Sequence, residues 1–367
     1  MSTHAFVFGK KNAVPFSEFM QQALYHPEQG YYRQNIIRQG AEGDYVTAPS
    51  ISPLFARCIA NNLAPLLEQY PHWSIAEIGP GRGDCAVDLM RSLEEKNIQP
   101  KAYLLIEQSE QMRTYQHQNI VMRLASSQEK FSWHAALPRS FCGIVIANEV
   151  LDALPVHLLF SDAQGDFSEL WVTQTKSGLA FKHYPASDDL LTLFSSRNIP
   201  KYRNYRYELS SEIPRFLKAL GTSMSSGVCL FFDYGYPRRQ YYHPDRKLGT
   251  LTSFYAHQRT ENSLLRPGQQ DISVHVDFNC VAESAHQAGF QFCGYSNQER
   301  FLLASHLFDQ LRQDEHRLNK LDYLSLRKSA HTLTSPSEMG ELVKVIAFQK
   351  QLPDLQILGF NKGSQGL

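Results

Sequence analysis

The chain has no surplus of charge: 36 basic residues are matched by 36 acidic ones over 367 positions. A protein made chiefly to grip nucleic acid carries a net positive field, so that class is set aside. No run approaches the roughly 20 apolar residues of a membrane span, and no stable membrane insertion is expected. Cysteine is scarce. Cys58, Cys85, Cys142, Cys229, Cys280 and Cys293 form no C-x-x-C pair, and most stand in apolar runs. They read as buried, reduced thiols. The 14 histidines make no H-E-x-x-H and no zinc-like cluster, so no metal is expected. Residues 1–11 lack an apolar signal core and an Arg-rich presequence, which predicts a bacterial-type cytoplasmic location. There are no internal repeats. What is present, 43% apolar residues, suffices for one large domain or two with a sizeable core.

The stretch 74–83 organises the chain. Ile75, Ala76 and Ile78 read as a short buried strand, and Gly79, Gly81 and Gly83 as a glycine-rich turn with Pro80 inside it. A helix follows over 84–96, with Val87, Leu89, Met90 and Leu93 as its apolar positions. Strand, glycine turn and helix make the first unit of a doubly wound α/β fold. Glycine is needed where a ligand approaches the backbone closely, and the helix N-terminus then points N–H groups at it. A dinucleotide fingerprint wants glycine at the sixth position of such a turn, where this chain has Asp84. A carboxylate there would repel a pyrophosphate and suit a cationic ligand. The alternative, an ordinary tight turn, stays open on these residues alone.

Before the turn, the spacing predicts helices over 16–25 and 53–70, the latter capped by Ser52 with Pro53 at its first position. The polar loop ahead of it, including Thr47, is a helix entry or a lid. After the turn come a second strand over 103–106, a helix over 109–117, a weak third strand over 131–135 and a strong fourth over 143–147. Glu107, at the end of the second strand, can accept ribose hydroxyls, with Gln108 beside it; the alternative is an exposed strand-end acid. Residues 156–226 break the rhythm. Short strands over 158–160, 169–173 and 179–183, a Tyr-rich loop over 201–207 and a helix over 212–220 read as an insertion. The fifth parallel strand is expected over 228–232, a long loop over 236–268, a helix over 278–288, and the last strands over 290–295 and 342–348 around a helical stretch. His275 and Asp277 share one face of an alternating segment. The tail from Gly359 is expected to fray.

Taken together, the motifs resemble the MidA-like S-adenosylmethionine (SAM)-dependent methyltransferases, the family of the mitochondrial complex I assembly-factor arginine methyltransferase. The matching stretches are Ala23-Leu24-Tyr25-His26-Pro27 with Gly30-Tyr31-Tyr32, and Gly43-Asp44-Tyr45. Glu77-x-Gly79-x-Gly81-x-Gly83, Asn148-Glu149 with Asp152-Ala153-Leu154-Pro155, and Asp233-Tyr234-Gly235 follow. His275-Val276-Asp277-Phe278 and Met339-Gly340-Glu341-Leu342 complete the set. Departures fall at Ala48, Ser50, Asp84, Val150 and Leu151. The resemblance implies a Rossmann-like, doubly wound sheet, mostly parallel with the last strand antiparallel. It carries a helical N-terminal segment (1–73), core segments over 74–155 and 227–350, an inserted α+β subdomain (156–226) and a tail (351–367). It implies SAM as cofactor, held by Glu77, Gly79, Pro80, Gly81, Gly83, Glu107, Gln108, Asn148 and Thr47.

The resemblance further implies a protein arginine as acceptor, with a respiratory NADH dehydrogenase subunit during assembly as its first candidate. A guanidinium is a permanent cation that carboxylates orient. Glu149 and Asp152 are the first candidates, then Asp233, His275 and Asp277. For Asp152 the alternative is a helix cap, and for His275 a satisfied, half-buried histidine. Two other functions remain open: a SAM-binding assembly chaperone, and a small-molecule O- or N-methyltransferase. Nothing in the sequence specifies an oligomeric state.

Overall fold

The computed structural model describes residue 8 and residues 11–34, 46–256, 258–360 and 367. Gly43-Asp44-Tyr45 lies outside them. The chain divides into two compact units, one of residues 1–45, 151–217 and 235–284, the other of residues 46–150, 218–234 and 285–367. Residues 235–284, expected in the core, therefore group with the insertion, and the N-terminal 1–73 segment is shared between the units.

The second unit is built on a sheet whose strands are β1 (Ser74–Ile78), β2 (Tyr103–Ile106), β3 (Phe131–His134), β4 (Phe141–Asn148), β5 (Met224–Tyr236), β6 (Gln291–Asn297) and β7 (Val343–Lys350). Their order is β6-β7-β5-β4-β1-β2-β3. Neighbours from β5 to β3 run parallel, and β7 lies antiparallel to both β5 and β6. Parallel strands need cover on both faces, which explains the unbroken apolar runs Ile144–Ala147 and Val228–Phe232. One face packs on α1 (Pro53–Gln69) and α2 (Asp84–Glu95). Phe232 at its centre meets Phe55 edge-on at 4.9 Å and Phe301 at 5.3 Å. Ser52 caps α1 as expected, its hydroxyl accepting the Leu54 N–H at 3.3 Å. α3 (Glu110–Arg123) connects β2 to β3 and runs a turn and a half longer than its weak apolar pattern suggests. The helical stretch after β6 is three helices, Gln298–Ala304, Leu307–Glu315 and Lys320–Thr334. Leu358–Phe360 forms a 3-10 turn with the Phe360 ring 5.4 Å from Phe301, and the rest of the tail expected to fray, residues 361–366, lies outside the described residues.

The first unit holds antiparallel sheets. Phe167–Thr175 pairs with Ala13–Pro15, His157–Ser161 and Gly178–Pro185, and His157–Ser161 pairs in turn with Tyr205–Leu209. The last of these falls where a polar loop was expected. Tyr205, Tyr207 and Leu209 alternate with Arg206 and Glu208, and all three are buried with Leu159, Phe194 and Tyr242. The long loop over 236–268 is also partly ordered, with a short helix Arg238–Tyr241 and strands Thr252–Tyr255 and Gln258–Thr260. Thr252–Tyr255 also pairs with Asp271–Ser273. Helix Phe16–Tyr25 buries Phe16, Phe19, Met20 and Leu24 against Leu158, Val172 and Ile272.

Candidate functional site

The glycine turn follows β1 at the carboxyl edge of the sheet. Gly79, Gly81 and Gly83 all take left-handed backbone, with φ of 62°, 52° and 81°. Side chains are strained at such angles. The Gly79 N–H donates to the Ile106 carbonyl at 3.2 Å, and the Gly83 N–H to the Pro80 carbonyl at 2.8 Å. A Cβ at Gly79 would stand 3.0 Å from the Val150 side chain, so the turn and the segment after β4 are closely apposed. Gly83 then caps α2 without a side chain.

Glu77, on the strand that leads into this turn, is 4% exposed, and its carboxyl accepts the Tyr103 hydroxyl at 2.6 Å. Burial pushes its pKa up to about 7, against the pull of that hydrogen bond. It braces β1 against β2 from within. Arg123 of α3 reaches Asp84 at 2.6 Å and Asp88 at 2.7 Å, so both charges are paired. From the same face of α3, Asn119 donates to the Arg82 carbonyl at 2.9 Å and Gln116 to the Gly81 carbonyl at 2.7 Å. Positions 116, 119 and 123 follow helical spacing, and this polar stripe holds the glycine turn.

At the end of β2, one Glu107 oxygen accepts the Ser109 N–H at 2.8 Å and the other the Gln116 amide at 3.3 Å. Gln108 beside it is exposed. At the end of β4, the Asn148 Oδ1 is buried with no hydrogen-bond partner, while its amide nitrogen donates to Glu149 at 3.2 Å. A buried orphan acceptor costs stability unless a ligand donor meets it. Glu149 takes left-handed backbone, φ 53°. Its N–H donates to the Phe232 carbonyl at 2.8 Å, and the next N–H, of Val150, donates to the Asp233 carboxylate at 3.1 Å. Asp233 is 1% exposed and also takes the Tyr234 N–H. It therefore shapes the Glu149 turn from the neighbouring strand. Thr47 opens a short helix, Ala48–Ile51, its N–H donating to the Ser50 hydroxyl at 3.1 Å. A glycine cradle, an oriented acid and an orphan acceptor at adjoining strand ends suit an adenosyl amino-acid ligand.

The other candidates lie in the first unit. Asp152 is buried, accepts the Ser273 hydroxyl at 2.6 Å, and receives the Val274 N–H on its carbonyl at 3.0 Å. Burial raises its carboxyl to about 6, opposed by the Ser273 hydrogen bond. It is thus joined to the segment that carries His275 and Asp277. His275 is lowered to about 4, by burial first and then by the charges of Arg246 and Arg259, so its ring is neutral at pH 7. Its N–H donates to the Thr250 hydroxyl at 3.0 Å. Asp277 caps helix Phe278–Gln287 through the Asn279 and Cys280 N–H groups and pairs with Arg238 at 3.0 Å.

Sequence reasoning missed Glu208. Its buried carboxylate accepts the Thr250 and Leu251 N–H groups, the Thr250 hydroxyl at 2.7 Å and the Tyr241 hydroxyl at 3.0 Å. Thr250 in turn holds His275, so Glu208 anchors the ordered part of the 236–268 segment. Glu208→Gln would set an amide N–H2 against these donors, and a loss of about 3 kcal/mol is expected. Denaturant unfolding checks this; an unchanged midpoint would show the cluster to be dispensable.

A family model of S-adenosyl-L-methionine-dependent methyltransferases matches residues 54–296. A protein from Burkholderia thailandensis, solved bound to S-adenosyl-homocysteine, is 31% identical. The match covers 96% of this chain and 92% of that one, with a TM-score of 0.89. The mitochondrial protein arginine methyltransferase NDUFAF7 homolog of Drosophila melanogaster is 27% identical over 91% of this chain and 81% of its own. The NDUFAF7 protein of Danio rerio is also 27% identical, over 74% of this chain and 68% of its own. Both names carry the word mitochondrial, which overturns the expectation of a cytoplasmic location.

Proposed function

We infer the reaction from one premise: the chain belongs to the family of S-adenosyl-L-methionine-dependent methyltransferases. It is an enzyme, and its cofactor is SAM. The acceptor we assign is an arginine side chain of another protein. When bound, SAM supplies a methyl carbon activated by its sulfonium. Gly79, Pro80, Gly81 and Gly83 give the ligand a close approach to the backbone. Glu107 accepts the ribose hydroxyls, with Gln108 alongside, and the Asn148 Oδ1 accepts from the amino-acid portion; Thr47 closes the entry. Glu77 works from behind the turn, keeping β1 and β2 in register.

The observation that supports an arginine acceptor is the Glu149 turn. An acidic residue is held in strained backbone at a strand end by Phe232 and Asp233, and strain of this kind concentrates at functional sites. Glu149 orients the cationic guanidinium, and Asp152 is the second candidate acid. His275, kept uncharged by burial, is a further candidate. Asp233 and Asp277 serve as positioning residues. The names of the relatives favour the same acceptor class. The first candidate protein is a subunit of a respiratory NADH dehydrogenase, suggested by the family resemblance.

Purified protein, labelled SAM and extract from a deletion strain test the assignment. Label recovered as methylarginine in a discrete protein is expected. Label found solely in small molecules, or no transfer despite SAM binding, would overturn the acceptor class. Asp152 adds a pH test. If its carboxylate is the working form, turnover falls as pH drops through about 6. Asp152→Asn should lower turnover about tenfold and remove that acid limb, with SAH affinity little changed. A pH–rate profile identical to wild type would make Asp152 purely structural.

A further inference from the structure

Resting on the reading of Glu107 as the ribose acceptor, we propose that Gln116 is a positioning residue for cofactor recognition, setting the geometry of that carboxylate and of the glycine turn together. Gln116 is fully buried on α3, where an amide has no water to turn to. Its Nε2 donates to the Gly81 carbonyl at 2.7 Å and to a Glu107 oxygen at 3.3 Å. Its Oε1 accepts the Trp133 indole N–H at 3.0 Å.

Chemistry fixes which way this amide points. An indole nitrogen can only donate, whereas a carbonyl and an ionised carboxylate can only accept. The oxygen must face Trp133 and the nitrogen must face Gly81 and Glu107. A glutamate would place a second anion beside Glu107, and an apolar residue would take this partner from the Gly81 carbonyl and the Trp133 indole. The aliphatic part of the side chain matters too: a Cβ at Gly83 would lie 3.7 Å from the Gln116 Cγ. One side chain therefore touches the middle of the glycine turn, its last residue and the acid of the next strand. The Ser109 and Gln116 donors, one on each oxygen, orient the Glu107 carboxylate.

The test is calorimetric binding of S-adenosylhomocysteine (SAH) and of its analogue lacking both ribose hydroxyls. Wild type is expected to prefer SAH, and Glu107→Ala to abolish most of that preference. Gln116→Met, close in size and unable to donate, is expected to shrink the preference about tenfold. The double variant should lose clearly less than the product of the two single losses. Trp133→Phe keeps Gln116 but removes the hydrogen bond that anchors its Oε1, loosening the side chain; it should shrink the same ratio, which keeps the test decisive should Gln116→Met fail to fold. Equal weakening of both ligands in Gln116→Met or Trp133→Phe would mean a general packing role and overturn the assignment. A wild-type preference untouched by these variants but lost in Glu107→Ala overturns the role of Gln116 alone. A wild type that binds both ligands equally overturns the ribose reading of Glu107, and the role of Gln116 with it.

Discussion

Gly227→Ala is expected to prevent the central sheet from forming. Gly227 pairs with Gly143 across β4 and β5, and its φ is 137°. An added Cβ would sit 1.8 Å from the Gly143 carbonyl oxygen and 2.7 Å from the Met224 side chain. The obstacle is backbone of the adjacent strand, which cannot yield without breaking the ladder. Gly143 has the same problem one strand over, where a Cβ would lie 2.0 Å from the Ser74 carbonyl oxygen. Losses above about 4 kcal/mol are rare for single substitutions and come from this kind of conflict. Gly178→Ala provides the contrast, because nothing lies within 4 Å of its added Cβ. Soluble yield and denaturant unfolding should separate the two variants sharply. A Gly227→Ala protein within about 1 kcal/mol of wild type would show that the paired glycines are not a packing requirement.

Gly81→Val is the second large effect, and it falls on binding. The φ of 52° at Gly81 suits glycine, and a β-branched residue there pays roughly 1–2 kcal/mol in backbone strain alone. Two methyl groups would also enter the space that lets a ligand lie against the backbone. Relaxation of the turn would pull the Gly81 carbonyl from the Gln116 amide. A loss of at least about 100-fold in SAH affinity is expected, equivalent to about 2.7 kcal/mol. Because Gly81 lies in a partly exposed turn outside the packed sheet, the unfolding midpoint should move much less. Unchanged affinity by calorimetry would remove the glycine turn from the cofactor site.

The turn was legible because glycine spacing reports backbone conformation directly, and Gly79, Gly81 and Gly83 all proved left-handed. β4 and β5 were legible because a strand buried on both faces leaves an unbroken apolar run. Tyr205–Leu209 was not, because its inward residues are tyrosines alternating with charge, a pattern shared by polar loops. The pairings of Asp84 and Asp277 were hidden for a different reason. Their partners, Arg123 and Arg238, lie 39 residues away in each case. Such pairings are tertiary, and no local pattern reports them. The same limit hid Gln116 and Glu208, ordinary polar residues whose importance comes wholly from burial.

The chain order of the sheet constrains how the protein can be made. β7 lies between β5 and β6 although it is synthesised after both. During translation β6 has no neighbour on the sheet until residues 343–350 have left the ribosome. The chain also passes between its two compact units five times, at 45/46, 150/151, 217/218, 234/235 and 284/285. Neither unit can be completed from a contiguous nascent segment. Long-range closure of this kind is slow, and it leaves apolar strand edges exposed while it waits. The β5 edge, with Val228 to Phe232 already apolar on both faces, should be the surface a nascent-chain chaperone protects. Truncation before residue 343 should leave that edge uncovered and cause aggregation in one step.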